Sequence, residues 1–427
     1  MRWEQRITHA SRTDIGMRRQ NNEDNAIVRL AEDPETFDRF GHLFVVADGM
    51  GGHAVGELAS KLAVDTVAHL SFLTPGQRSR VLKDAIHQAN ATVFERGSQN
   101  RDFERMGTTC TAMSLSPQGL VIGHIGDSRV YRIRRDRVDQ LTFDHSVEWE
   151  LKRRHPGKVT PELLRQHKNV ITRSLGPEKT IKVDIEGPVP TLPGDRYLLC
   201  SDGLTGLVAD EELGTVVRVL RPKDAARLLV DLANLRGGND NCTVIVVEVG
   251  ELPHGVPLAV VSEPDSPGWT LPWSWFAGWM LVAILIVIGV FAWVSGNVVA
   301  GILLTLLGGS AMIPVTVGTM RHRERSLQLG ATEVDDDSRT MRNRPHATAV
   351  AMPLTELLDE LQSATVDLSA AAQDDGWPLD WNKYDDAVAA AAKAVEDRRL
   401  AVALREQGKA IHLLMRGLQT QRSAAKG

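Results

Sequence analysis

The chain has 427 residues, 43% hydrophobic and 24% charged, with a formal net charge of −5. That is a globular composition with room for more than one domain, and the mild acidity argues against a nucleic-acid partner, which calls for a basic field. Cys110, Cys200 and Cys242 stand singly, without disulfide or metal spacing, so reduced thiols are expected.

The opening residues "MRWEQRITHASRTDIG" have no apolar core, so no signal peptide is expected. Strand-like runs follow at "HLFVVAD", "TTCTAMSLS", "LVIGHIGD", "RVYRIRR", "RYLLCSDG" and "CTVIVVEV", several joined by short turns such as "PQG". Apolar residues at helical spacing predict helices over about 54–70, 78–97, 211–219 and 223–235. Long helices in pairs between hairpin strands predict a layered α+β domain over residues 1–250.

A Pro-rich linker, 251–274, leads to two uncharged runs, 275–294 and 298–318. Each is long enough to cross roughly 30 Å of hydrocarbon as a helix, and tryptophans cluster at the ends of the first. A membrane hairpin is therefore expected, with lipid as a partner and both chain ends cytoplasmic at the cell (inner) membrane. The orientation follows from "RHRER" directly after the second run, because no Lys or Arg lies between Arg236 and Arg321. A charged linker, 319–352, precedes a tail, 353–427, with Leu354, Leu357, Leu358, Leu361, Thr365 and Leu368 on one helix face. The tail reads as a small helical hairpin with little core of its own, or as a device for a protein partner.

The stretch "LFVVADGMGGHAVGE" (Leu43–Glu57) carries the chemistry. Asp48-Gly49 alone is a turn signal. "GMGGHA" also fits the dinucleotide fingerprint, but Asp48 would face the pyrophosphate and no second strand follows at the needed distance. No P-loop motif is present. A metal site is the third reading. Asp127, Asp202 and Asp240 also stand at strand ends beside Gly or Asn, and Glu23 and Asp24 precede another strand. Acidic oxygens without His or Cys suit Mg²⁺ or Mn²⁺, and Gly49 leaves a carbonyl open to an ion. Two such ions activate water for phosphate-monoester hydrolysis. Arg18 and Arg19 lie just before these acids. A guanidinium fork matches phosphate, with Arg18 the more ordinary surface residue of the two.

"TDIGMRRQNNEDN", "ADGMGGHAVGE", "MGTTCTA", "HIGDSRVYRI", "LTFDHS", "LLCSDGL" and "GGNDNCTVIVVEV" occur in the order found in bacterial metal-dependent Ser/Thr protein phosphatases, the PP2C or PPM family. The resemblance covers about Arg6 to Val249 and implies a four-layer α-β-β-α sandwich with Mn²⁺ or Mg²⁺ at one end. It implies two core ions, and a third at a weaker site. Asp48 resembles the bridging acid, and the Gly49 carbonyl a ligand beside it. Asp202 and Asp240 resemble ligands of the first ion, and Asp127 a ligand of the third, shared with Asp202. Glu23 resembles the acid that holds water at the metals, Asp24 its support, and Arg19 the phosphate-binding arginine. Met50 stands where eukaryotic relatives carry a histidine, His53 has no matching role, and the variable flap over about 147–176 offers no assignable ligand.

The expected function is therefore hydrolysis of phosphoserine and phosphothreonine in proteins phosphorylated by bacterial Ser/Thr kinases, on a domain anchored to the membrane. The alternative is a catalytically weak phosphoprotein-binding scaffold on the same fold.

Overall fold

The computed structural model describes residues 7–52, 54–103, 106–154, 160, 162, 170–250, 273–307 and 345–426. They divide into two compact units, Met1–Val256 with Met341–Gly427, and Pro257–Thr340.

The first unit begins with β1 (Ile7–Asp14), β2 (Asp24–Arg29), a short α1 (Pro34–Phe40), β3 (His42–Met50), α2 (Ala54–Leu73) and α3 (Arg78–Ser98). Short strands follow: β4 (Gly107–Thr108), β5 (Cys110–Ser116), β6 (Gly119–Ile125), β7 (Arg129–Arg134) and β8 (Arg137–Gln140), then α4 (Val147–Arg154). Next come β9 (Asp184–Val189), β10 (Arg196–Cys200), α5 (Asp202–Thr205), α6 (Asp210–Val219), α7 (Pro222–Leu235) and β11 (Cys242–Val249). The second unit contributes α8 (Trp273–Val294). The chain then returns to the first with β12 (Ala347–Val350), α9 (Leu354–Asp374), α10 (Trp381–Glu396) and α11 (Leu400–Lys426). The strand runs read from the sequence are all present, and the four expected helices correspond to α2, α3, α6 and α7.

One sheet runs β1-β11-β10-β7-β8-β12, the other β2-β3-β5-β6-β9 with β4 on β3, and every pair is antiparallel. Strands apolar at every position need cover on both faces. In β3, Phe44 and Val46 pack against Tyr197, Leu199, Ile245 and Val247 of the opposite sheet. Leu43, Val45 and Ala47 point the other way, onto Ala59, Ala63, Val67, Leu82 and Ile86 of α2 and α3. On the far side, Val244 and Val246 of β11 meet Val216, Val217, Leu228 and Leu232 of α6 and α7. This is the expected α-β-β-α sandwich.

The tail departs from expectation. Leu357 and Leu361 of α9 and Leu404, Ile411 and Met415 of α11 are buried in the same cluster as Leu228 and Leu232. β12 pairs with β8 and extends the sheet, and Thr215 donates to the Met352 carbonyl at 2.6 Å. A smaller cluster around Trp377, Tyr384 and Leu414 holds the three tail helices together. The structure thus places the tail in the same unit as the sandwich rather than in a unit of its own.

The expected membrane hairpin is not supported as a pair of spans. The backbone is helical over Trp273–Val294 without a charged residue, but its side chains are described only at 280 and 283–294. The second run is described as helix only over 298–307. Among the described residues, no helix is long and apolar enough to cross a membrane.

Candidate active site

The strand ends that carry acids meet at one end of the sandwich. β2 and β3 pair so that Asp24 lies opposite Asp48. Thr109, between β4 and β5, fixes Asp48: its hydroxyl accepts from the Asp48 N–H at 2.8 Å, and its own N–H donates to the Asp48 carbonyl at 2.8 Å. The same hydroxyl lies 2.9 Å from Ser128, which ties Asp48 to the turn carrying Asp127. Gly126 in that turn has φ 116°, and a Cβ there would meet the Thr109 side chain at 2.5 Å, so the turn needs glycine.

The other sheet contributes Asp202, at the start of α5, and Asp240, before β11. Ser201 joins the two sheets by donating to Asp24 at 2.8 Å while accepting from the Thr243 N–H at 2.9 Å. Asn241 accepts from the Glu23 N–H at 2.8 Å and donates to the carbonyls of Ile15 and Asn21. Gly49 donates to the Glu23 carbonyl, and a Cβ on Gly49 or Gly56 would collide with this packing.

The electrostatics record how close the acids lie. Burial, reinforced by the charges of Asp24, Asp202, Asp127 and Asp240, pushes the Asp48 carboxyl well above its ordinary range. Burial, with Asp202 and Asp144 adding, does the same to Asp127. Asp24 is pushed up to about 7 and Asp202 to about 6, burial first and neighbouring acids second. Asp202 and Asp48 share a side-chain hydrogen bond, and among the described residues no three His, Cys, Asp or Glu side chains form a group that could hold a metal ion. Yet Asp24 Oδ1, Asp127 Oδ1 and Asp202 Oδ1 are buried without a hydrogen-bond partner. Buried carboxylate oxygens left bare are costly, and hard cations are the groups that such a set of oxygens fits.

Arg19, at the rim, is bonded to Asp240 at 2.6 Å with its side chain 46% exposed. It reaches the cluster as expected, but engaged with an acid. Arg18 is exposed. His53 and, within the flap over about 147–176, residues 155–159, 161 and 163–169 lie outside the described residues.

Two supports, Arg129 and His145, carry no role in the sequence-based expectations, although they stand in "HIGDSRVYRI" and "LTFDHS" respectively. Arg129 forks onto Asp144 at 2.7–3.0 Å behind Asp127, and its positive charge lowers the Asp127 carboxyl against the larger effect of burial. His145 accepts from the Gly126 N–H at 3.0 Å through Nδ1, and its Nε2 lies 3.0 Å from Asp184. Burial lowers the His145 pKa despite Asp184, consistent with a neutral ring protonated at Nε2. His145 thereby clamps the turn that presents Asp127.

A family model described as protein phosphatase 2C matches residues 36–233. Serine/threonine protein phosphatase PstP of Mycobacterium tuberculosis is 35% identical over 278 residues, 62% of this chain and 50% of its own length. The chain therefore spans about half the length of that relative. Serine/threonine phosphatase stp of Listeria innocua is 36% identical over 245 residues, 56% of this chain and 94% of its own. A serine/threonine phosphatase structure from S. agalactiae is 32% identical with a TM-score of 0.51, over 57% of this chain and 99% of that one. Because the chain covers 94% of the listerial phosphatase at 36% identity, and 57% of it shares the fold of the S. agalactiae phosphatase, it belongs to the protein phosphatase 2C family.

Proposed function

We propose that the chain is a metal-dependent protein phosphatase acting on phosphoserine and phosphothreonine. The observation that carries this reading is the cluster of Asp24, Asp48, Asp127 and Asp202, with three buried, bare carboxylate oxygens and Asp240 at its rim. Asp48, the Gly49 carbonyl, Asp202 and Asp240 would hold two core Mn²⁺ or Mg²⁺ ions, and Asp127 with Asp202 a third. Bound there, the ions supply the Lewis acidity that makes water nucleophilic near neutral pH and neutralises phosphate oxygens.

The rest of the chemistry falls to the chain itself. Arg19, exposed at the rim and now paired with Asp240, would be the guanidinium available to a substrate phosphate if that carboxylate held a cation. Asp24, held by Ser201, and Glu23, positioned by Asn241, fix the acids of the opposite sheet and orient water. Met50 has no ionisable proton, so that position does not protonate the leaving oxygen. Phosphoproteins made by bacterial Ser/Thr kinases are the proposed substrates. The test is phosphate release from phosphothreonine and phosphoserine peptides by the intact chain. Release that requires Mn²⁺ and stops with chelator supports the reading, and none in saturating Mn²⁺ defeats it.

A second reading, membrane anchoring, is favoured by the other unit. Gly289 lies against Thr305 and Gly301 against Trp293, so the two helical runs pack closely through glycines. Val287, Phe291, Val294, Val299, Leu303 and Leu306 are 62–82% exposed on their outer surfaces. An uncharged hairpin with such a surface calls for lipid cover. With "RHRER" following it, both chain ends would face the cytoplasm. Fractionation tests this: the intact chain should sediment with membranes and resist alkaline extraction, and recovery in the supernatant contradicts the anchor.

A further inference from the structure

β1 is the end strand of its sheet, and among the described residues only β11 pairs with it. Its free edge borders a groove of about 450 Å³ closed by α7 and by α11 of the tail. Ser11, Arg12, Thr13, Lys223, Arg227 and His412 line this groove. Lys223 is exposed, and the side chains of Arg12 and Arg227 are 30% and 22% exposed. Asp224 and Asp231 offset part of the charge, through Arg227 at 3.1 Å, Arg12 at 3.8 Å and His412 at 2.8 Å. Both acids are buried, so the charged groups that reach the surface of the groove are the cations Arg12, Lys223 and Arg227. Arg227 Nε is buried and has no hydrogen-bond partner.

An unpaired strand edge beside a helix accepts an extended peptide as an added strand: main-chain bonds give affinity, and flanking pockets give selectivity. A positive groove selects an acidic peptide. The groove also leads to the acids. Thr13 pairs with Thr243 and Asp14 with Cys242, so Asp240 stands three residues beyond Thr243, ~10 Å at strand spacing.

We propose that this groove docks an extended acidic segment of a phosphoprotein substrate on the free edge of β1. The segment's carboxylates face Arg12, Arg227 and Lys223, from about four residues from the phosphorylated position at Arg12 to about seven at Lys223. This rests on the phosphatase reading for the word substrate, while the docking itself can be measured without turnover. His412 makes the tail part of the substrate surface.

The binding arm uses fluorescence anisotropy of the intact chain with an unphosphorylated peptide of alternating Glu and Val. Saturable binding is expected, weakened about five-fold by the exposed Lys223→Glu, restored by Lys223→Arg, and lost when alternate peptide nitrogens are methylated. The kinetic arm compares phosphothreonine peptides with Glu or Ala flanks. The Glu peptide should have the higher kcat/KM by about five-fold, mostly through KM, and the ratio should fall toward one in Lys223→Glu. No binding of the acidic peptide, binding indifferent to both Lys223→Glu and backbone methylation, or equal kcat/KM for the two flanks overturns the docking site. Failure to hydrolyse even p-nitrophenyl phosphate in Mn²⁺ overturns the phosphatase reading instead, and anisotropy then still decides the docking.

Discussion

The two helical layers of the sandwich are held differently. α3 buries one stripe, including Val81, Leu82, Ala85, Ile86, Ala89 and Val93, and leaves its other side to solvent. α7 is buried almost all round, from Ala225 and Ala226 through Leu228 to Asn234, because the tail covers what the sheet does not. Some of its polar residues pair across this cover: Asp231 meets His412 and Arg12, and Asn234 donates to Asp14 at 3.0 Å. A helix whose outer face is an interface can carry the same amphipathic pattern as one facing water. The metal end contrasts with both layers, since its acids are buried with no apolar reason to be there.

The largest effect expected is at that end. Asp48→Asn or Asp240→Asn should cut turnover by about a thousand-fold or more while the far-UV spectrum stays native, because a lost charge removes a cation and the nucleophile with it. Turnover near normal in saturating Mn²⁺ would erase the distinction drawn for these acids.

Next in size is the uncovering of α7. Ending the chain at Gly250 exposes the Leu228 face, so aggregation is expected even though every proposed ligand precedes that point. Leu404→Ala is the milder probe and should cost about 2–5 kcal/mol. Sandwich and tail should melt together in one transition followed by two probes. Separate transitions would make the tail an appendage after all.

Arg19→Ala should lower kcat/KM by about ten- to a hundred-fold, partly in KM, with metal affinity little changed. An unchanged kcat/KM would return Arg19 to a surface role.

The smallest effect is in pH. Raised carboxyl pKa values mean that the metal-free native state binds more protons than the unfolded chain. Its stability is therefore full at low pH and is lost as pH rises through about 6 and 7 for Asp202 and Asp24. The metal-free Tm should fall from pH 5 to 8, whereas Mn²⁺ affinity should rise over the same interval as the acids ionise. A Tm that rises with pH in chelator would contradict the clustering.

Much of this was legible in the sequence. β3, β5, β6, β10 and β11 are apolar runs between turn signals, and acids beside glycine or asparagine marked Asp48, Asp127, Asp202 and Asp240. β1 was not legible, because "ITHASRTD" alternates weakly and is exposed at Thr8, His9, Ser11 and Thr13. β12 has four residues and becomes a strand only by pairing with β8. The leucine face of α9 was visible, but nothing in a helical periodicity names the surface it covers. Arg129 and His145 lie in two separate motifs, "HIGDSRVYRI" and "LTFDHS", yet their work depends on Asp144, Gly126 and Asp184 being brought around them by the fold.

The most direct measurement is a Mn²⁺ titration of the intact chain and its Asp48→Asn variant, with cation binding and phosphate release from a phosphothreonine peptide followed in the same samples. Binding and release should saturate together in the native chain, and both should be lost or displaced to far higher Mn²⁺ in the variant. Release at full rate by the variant, or by the native chain in excess chelator, would contradict a metal-dependent phosphatase centred on Asp48.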